Sequence, residues 1–479
     1  MAIRTLNGFL CLAGFACGLS GASAAHAENL ADAIDLAYKT NPTLQNQRAQ
    51  LRVTDETWVQ ARAGFRPQVN VQVDASRQIV PAPGSDTRDA LITLQQPVYT
   101  GGRVASAVSA AEADILAGRE SLRGAEASVL QQVVQAYADV IRDQEGVAIR
   151  ETNLAALKDQ VTEAEARQKV GDLTRTDVAQ SQGYFFQARV DLANAKAQLE
   201  VSRATYAAVI GQRPGSLEPL PPLPNLPTSL NQAFDTGEQG NPSLRSSQYA
   251  EQAARMRTAE ARDQRMPNVS LRAQYGYSGP QQFPPNPNIY QPQATASVTL
   301  TQPLFAGGVI DSQIRQQIER QASARMQTEN ARRTMVQQIS QAWSAYLAAH
   351  ENMTNADDAV KANAVAYEGV QKERRIDLRS TLEVLYIEQS LRQAELALAA
   401  ARHDAYLSQS NLLASMGLLE ADRLVPGGVD LYDPTKAFNR VKLAGAVPWE
   451  IVPDVLDHLT SPSIKRLPAP PTKPTPETR

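Results

Sequence analysis

The chain has 479 residues, with 47 Lys and Arg against 50 Asp and Glu, a net charge of −3, four histidines and two cysteines. That balance offers no basic surface for nucleic acid. Neither a His-Glu-x-x-His nor a Gly-x-Ser-x-Gly run occurs, so no metal site, cofactor or nucleophile elbow is visible, and the reading is of a protein that is not an enzyme.

Residues 1–27 carry Arg4, an apolar stretch from Phe9 to Leu19 and Ala25-His26-Ala27, the pattern of an export signal cleaved before Glu28. Cys11 and Cys17 both lie inside it, and Gly14-Phe15-Ala16 before Cys17 lacks the apolar residue of a lipid-attachment site. The mature chain then has no thiol, carries a net charge of −4 after loss of Arg4, and holds together by packing alone. No later apolar run approaches the roughly 20 residues of a membrane-spanning helix. If the protein meets a bilayer, it does so with strands.

The remainder is written twice. Asn41-Pro42-Thr43-Leu44 returns as Asn241-Pro242-Ser243-Leu244, and Arg66-Pro67-Gln68-Val69 as Met266-Pro267-Asn268-Val269, both at an offset of 200. Gln96-Pro97-Val98-Tyr99-Thr100-Gly101-Gly102 returns as Gln302-Pro303-Leu304-Phe305-Ala306-Gly307-Gly308, at 206, and that offset holds as far as Gly211 and Gly417. Two copies this long are a duplicated half-domain and not a solenoid. The first copy spans 28–212, a Pro-rich linker 213–228, the second copy 229–418, a C-terminal segment 419–460 and a Pro-rich tail 461–479, which its composition marks as disordered.

In the first copy a helix over about 30–63 precedes a hairpin at 66–100. Val69, Val71 and Val73 alternate with Gln68, Asn70, Gln72 and Asp74, and Ala90 to Gln95 repeats the pattern after a turn at 81–86. The second hairpin, 266–303, alternates Val269, Leu271, Ala273, Tyr275 and Tyr277 with polar residues, then Ala296, Val298 and Leu300 with Thr and Ser, across a longer loop at 279–293. Alternation alone also fits a half-buried soluble sheet. Segments of about 10 residues instead match tilted membrane-spanning strands. Four strands cannot close a barrel, and an unpaired edge in lipid costs several kcal/mol per backbone group. Strands of this kind require several chains to share one barrel.

Each hairpin leads through Gly101-Gly102 or Gly307-Gly308 into some 70 proline-free residues. Val133, Val140, Val147, Leu154 and Val161 stand seven apart, as do Ile339, Tyr346, Met353, Val360 and Tyr367 in the second copy. A further row, Val178, Phe185, Leu192, Leu199 and Tyr206, is mirrored by Val384, Leu391, Leu398, Ala405 and Leu412. Such rows indicate coiled-coil packing. A helix over 103–170 would span about 100 Å, with two shorter helices stacked beside it. Heptads alone also fit a periplasmic coiled-coil scaffold.

Together the paired Asn-Pro-x-Leu starts, the Pro67 and Pro267 helix-to-strand switches, the Pro97 to Gly102 and Pro303 to Gly308 strand-to-helix switches and the turn from Val170-Gly171 to Asp177-Val178 resemble the TolC family of outer-membrane efflux and secretion channels. The resemblance covers essentially the whole mature chain. It implies a mixed α/β membrane protein: a homotrimer with a twelve-stranded barrel in outer-membrane lipid, a long periplasmic α-barrel, and a collar at mid-height beside which the linker and C-terminal segment run. It implies partners, namely a periplasmic adaptor and an inner-membrane transporter, of the ABC type for type I protein secretion or of the RND or MFS type for drug efflux. The unlipidated signal is more similar to the secretion branch. Functional residues are then expected at the helix-turn-helix tips. By correspondence with the family, Arg379 pairs with Asp177 in the closed state, Glu383 forms an acidic ring, and Gly171, Leu173 and Thr176 seat the adaptor. Tyr386, Arg374 and Asp377 depart from the family pattern, where a second acidic residue, a tyrosine and a glycine are common.

Overall fold

The computed structural model describes residues 28–77, 86–280, 289–376, 378–425, 430–459 and 461–468. The expected export signal, most of the 81–86 turn and of the 279–293 loop, Asp377 and tail residues 469–479 lie outside the described residues. In chain order the first copy is α1 (Leu30–Thr40), α2 (Pro42–Arg62), β1 (Gln68–Arg77), β2 (Asp86–Tyr99), α3 (Arg103–Lys169) and α4 (Arg175–Ile210). The second is α5 (Leu230–Gly240), α6 (Pro242–Asp263), β3 (Asn268–Pro280), β4 (Gln291–Thr301), α7 (Val309–Arg374) and α8 (Thr381–Met416). Short helices α9 (Ala421–Leu424), α10 (Pro434–Val441) and α11 (Ile451–His458) follow.

Two helices stand at the start of each copy where periodicity suggested one. Pro42 and Pro242 have no N–H with which to continue the preceding helix. Asn41 and Asn241 end one helix and cap the next, their side chains accepting from Leu44 N–H and Leu244 N–H. The same asparagines donate through Nδ2 to Val209 O at 3.1 Å and Ser415 O at 2.8 Å, which ties each break to the end of its own copy. The repeated Asn-Pro is thus a two-way clamp at mid-wall.

The strands form one antiparallel sheet in the order β1-β2-β3-β4. Register sorts the side chains into two faces, since directly opposed residues point the same way. Val71 faces Ile92, Ile92 faces Tyr275 and Tyr275 faces Ala294; one row over, Val69, Leu94, Ala273 and Ala296 line up likewise. The other face carries Asn70, Thr93, Gln274 and Thr295. A continuous apolar band therefore crosses all four strands, and it is bare: Val71 is 72% and Val298 71% exposed. A soluble sheet would bury such a face.

Below the sheet, α3 packs against α2 and α4 on one side and α6 and α8 on the other, whereas α7 packs against α5, α6 and α8. The largest core lies level with the Asn-Pro breaks, where Ile34, Val133, Tyr137, Val140, Tyr206, Leu244, Ile339, Leu412 and Met416 meet. Each such aliphatic side chain contributes about 1.5–3 kcal/mol. Leu223 of the linker is buried here too, and Tyr137 donates to the carbonyls of Glu28 and Glu218, so the linker packs on this core.

After α9 the chain departs from expectation. α10 and α11 climb beside α2 towards the sheet, because Glu450 is held by Arg62 and Arg66 at the end of α2. Trp449 accordingly sits near the sheet and not on the collar. Residues 461–468 of the tail are held rather than disordered, with Lys465 N–H donating to Gln252 Oε1 at 2.9 Å and Leu467 N–H to the Tyr249 hydroxyl at 3.1 Å.

Candidate gate and docking tips

The strand-to-helix switches need backbone that only glycine adopts readily: Gly101, Gly102, Gly307 and Gly308 have φ of 71°, 87°, 59° and 83°. Pro97 sits at a bulge between β2 and β3, while Pro67, Pro267 and Pro303 flank strand ends, the places a residue without N–H is tolerated. In the first switch a side chain on Gly101 would also strike Met266. The second switch is open, with Leu304 93% and Phe305 90% exposed.

At the opposite end, each copy turns from its long helix into a second helix whose start is capped in the same way. α3 stops at Gly171, φ 85°, where Gly171 N–H donates to Gln168 O and Asp172 N–H to Arg167 O, a Schellman closure. Nothing lies near a would-be side chain on Gly171, so the positive φ alone demands glycine. Thr174 then caps α4. Its hydroxyl oxygen accepts from Asp177 N–H at 3.2 Å, and Asp177 accepts in return from Thr174 N–H at 3.0 Å. Ser380 and Glu383 repeat this reciprocal box at the start of α8. These positions lie 206 apart, and the Thr-x-x-Asp and Ser-x-x-Glu spacing was the available signal for them.

Asp177 and Glu383 therefore hold helix starts. Hydrogen bonds from Thr174 keep the Asp177 carboxyl below its ordinary range; the Ser380 backbone and hydroxyl, then Arg379, do the same for Glu383. Both stay ionised at neutral pH. Arg379 bonds Glu373 at 2.8 Å and Glu383 at 3.1 Å, partners from its own tip. The structure brings Arg379 and Glu383 together. It does not bring Arg379 to Asp177 within one chain: Asp177 bonds Thr174, while Arg379 bonds Glu373 and Glu383.

Contacts that tie the two copies together near the tips were not legible in the sequence. Arg374 Nη1 sits 3.0 Å and 3.1 Å from the two carboxylate oxygens of Glu163, linking the end of α7 to α3. Slightly higher, Gln160 donates at 2.7 Å to Glu388 of α8, a buried carboxylate whose pKa burial raises. Leu157, Ala188 and Leu385 fill the small core between these pairs. Thr176 is exposed and Leu173 half-buried, and around them Val170, Ile376, Leu378 and Tyr386 are all more than two-thirds exposed. The tip is thus an apolar, solvent-facing end whose two copies are tied together by charged and polar links.

Residues 33–212 and 235–418 match the family model for outer membrane efflux proteins. The chain is 33% identical over 426 residues to outer membrane efflux protein BepC of Brucella suis, a match that covers 88% of this chain and 91% of that one. It is 22% identical over 345 residues, 70% and 71% of the two chains, to alkaline protease secretion protein AprF of Pseudomonas aeruginosa. The fold is similar to the Campylobacter jejuni CmeC outer membrane channel, with a TM-score of 0.72 at 16% identity over 88% of this chain and 90% of that one. The chain belongs to the outer membrane efflux protein family, the TolC family its motifs resemble, and is an outer-membrane efflux or secretion channel protein whose long helices lie on the periplasmic side.

Proposed function

We propose that three copies of the chain close into one exit duct, with protein as its cargo, delivered by an inner-membrane ABC transporter through a periplasmic adaptor in the manner of type I secretion. The observation that carries the assembly is the pair of open edges: β1 and β4 end the sheet order, and α7 leaves most of its length bare. Lipid tolerates no such edge, and three chains give twelve strands, within the known range of barrels. The register of β2 on β3, carried over by the repeat offsets, opposes Leu300 to Val73, Gln302 to Val71 and Phe305 to Val69 of the next chain. That seam covers the bare second switch.

At the tips, Glu383 repeated by threefold symmetry forms an acidic, cation-attracting ring, with Arg379 offsetting part of its charge. Opening requires α7 and α8 to swing from α3 and α4, which breaks Arg374–Glu163. The adaptor seats on Gly171, Leu173 and Thr176, where Val170, Ile376 and Leu378 offer apolar cover. The likeness to a protease secretion protein supports protein cargo; the higher identity to an efflux protein favours a second reading, small-molecule efflux, in which an RND or MFS pump replaces the ABC transporter. A deletion strain separates them. Loss of one or a few culture-supernatant proteins with little drug phenotype supports secretion, and broad hypersensitivity to hydrophobic drugs with an unchanged secretome supports efflux.

A further inference from the structure

Residues 430–459 and 461–468 pass around the start of α3. On the way up, Phe438 of α10 stands edge-on to Trp58 of α2 at 5.3 Å. Glu450 is then fixed by Arg62 and Arg66, and α11 crosses from the end of α2 to the junction of β2 and α3. There the fully buried Asp457 accepts from Thr100 N–H at 2.8 Å and from the Thr100 hydroxyl, and Ser461 donates to Gly102 O at 3.0 Å. On the way down Arg466 pairs with Glu112 and Lys465 meets Gln252. The wall helices run along the molecule; α11 runs across it.

α11 is amphipathic with its faces reversed. Pro453 and Asp457 point inward, while Ile451, Val455 and Leu459, four residues apart, share the opposite arc with Val452 and Leu456. Four of these five side chains are more than half exposed, Leu459 at 78%, and Trp449 just before them is 55% exposed. A contiguous apolar arc of this kind calls for a nonaqueous cover. Its position names the cover. Thr100, the inward anchor, directly follows Tyr99, and Tyr99 pairs with Val269 at the rim of the sheet's apolar band. The other anchors lie on α2, α3 and α6, over the body of the chain and not on β4 or α7, the edges that await a neighbour.

We propose that α11 lies in the membrane plane against the periplasmic leaflet, with Ile451, Val452, Val455 and Leu459 among the acyl chains and Trp449 at the headgroup level. This rests on the reading of the apolar band as the lipid-facing surface of the barrel. The segment then couples lipid to the first strand-to-helix switch through Asp457 and Thr100.

Single cysteines at Val455, at Val71 in the band and at Val170 on the tip, in a mature chain with no other cysteine, each receive a bimane label. The labelled protein is reconstituted into phosphatidylcholine vesicles with and without brominated acyl chains. Quenching at Val455 of at least half that at Val71, with none at Val170, is the expected result. A quenched Val71 label beside an unquenched Val455 label overturns the proposal; iodide then shows whether the arc faces water or is covered by another chain. An unquenched Val71 label would instead overturn the barrel reading, and the proposal with it.

Discussion

α3 and α7 are the same element twice, 67 and 66 residues aligned at a fixed offset, yet α3 has buried residues along its length from Val104 to Ala164 while α7 buries only Ile314, Met335 and Ile339. Leu130 and Val336 occupy the same repeat position and are 2% and 41% exposed. Heptad rows record which face of a helix is apolar. They do not record whether the helix that covers it comes from the same chain. A duplicated wall segment therefore shows its assembly as a contrast in burial between equal sequences: the inner copy is finished, and the outer copy is half an interface.

Breaking the contrast has its largest effect at the finished helix. Leu130→Asp places a charge in the main core at a cost upward of about 4 kcal/mol, and the chain is expected to lose its helical circular dichroism and to be degraded in the cell. Val336→Asp at the matching position should leave the helical signal intact and weaken the trimer association constant by at least about tenfold, read by light scattering in detergent; about 1.4 kcal/mol in total suffices.

Asp55 sharpens the comparison by titration. It is buried beside α3, neither of its carboxylate oxygens has a hydrogen-bond partner among the described residues, and burial, partly offset by Arg119, pushes its pKa from 3.8 up to about 6. Its repeat counterpart, Arg255, is exposed. Because the folded state prefers the neutral acid, the cost is absent below about pH 4, grows as pH rises towards 6, and is complete above it. Asp55→Asn should stabilise by on the order of 2 kcal/mol at pH 8 and by almost nothing at pH 3.5, measured as the shift in thermal midpoint. Arg255→Asn should do neither.

The smallest effect is at the tip. Arg374 and Glu163 form an exposed pair of the kind that contributes about 0.2–1 kcal/mol. Arg374→Ala should raise open probability in planar bilayers by up to about fivefold, Glu163→Gln should match it, and the double variant should add nothing. Glu383→Ala should lower cation selectivity without that change in gating.

The elements, their order and the two-faced strands were legible in the sequence because they depend on local periodicity. The break at Asn41 was written there as well, since Pro42 cannot extend a helix. Long-range pairs were not legible: nothing near Arg374 or Glu163 indicates that they meet across 211 residues of chain. The spacing of Asp177 from Thr174 and of Glu383 from Ser380 marks both carboxylates as helix caps, a role that was legible in the sequence beside the one at the gate. The climb of α11 was hidden, because an apolar arc in sequence does not say which way it faces.

Three chains that share one barrel, as proposed, meet along the seam between β4 and β1. Leu300→Cys with Val73→Cys in one chain, with Cys11 and Cys17 replaced by serine, tests it under mild oxidation. The account predicts a nonreducing gel ladder that ends at three chains. A single-chain band, or a ladder that continues past three, would contradict it.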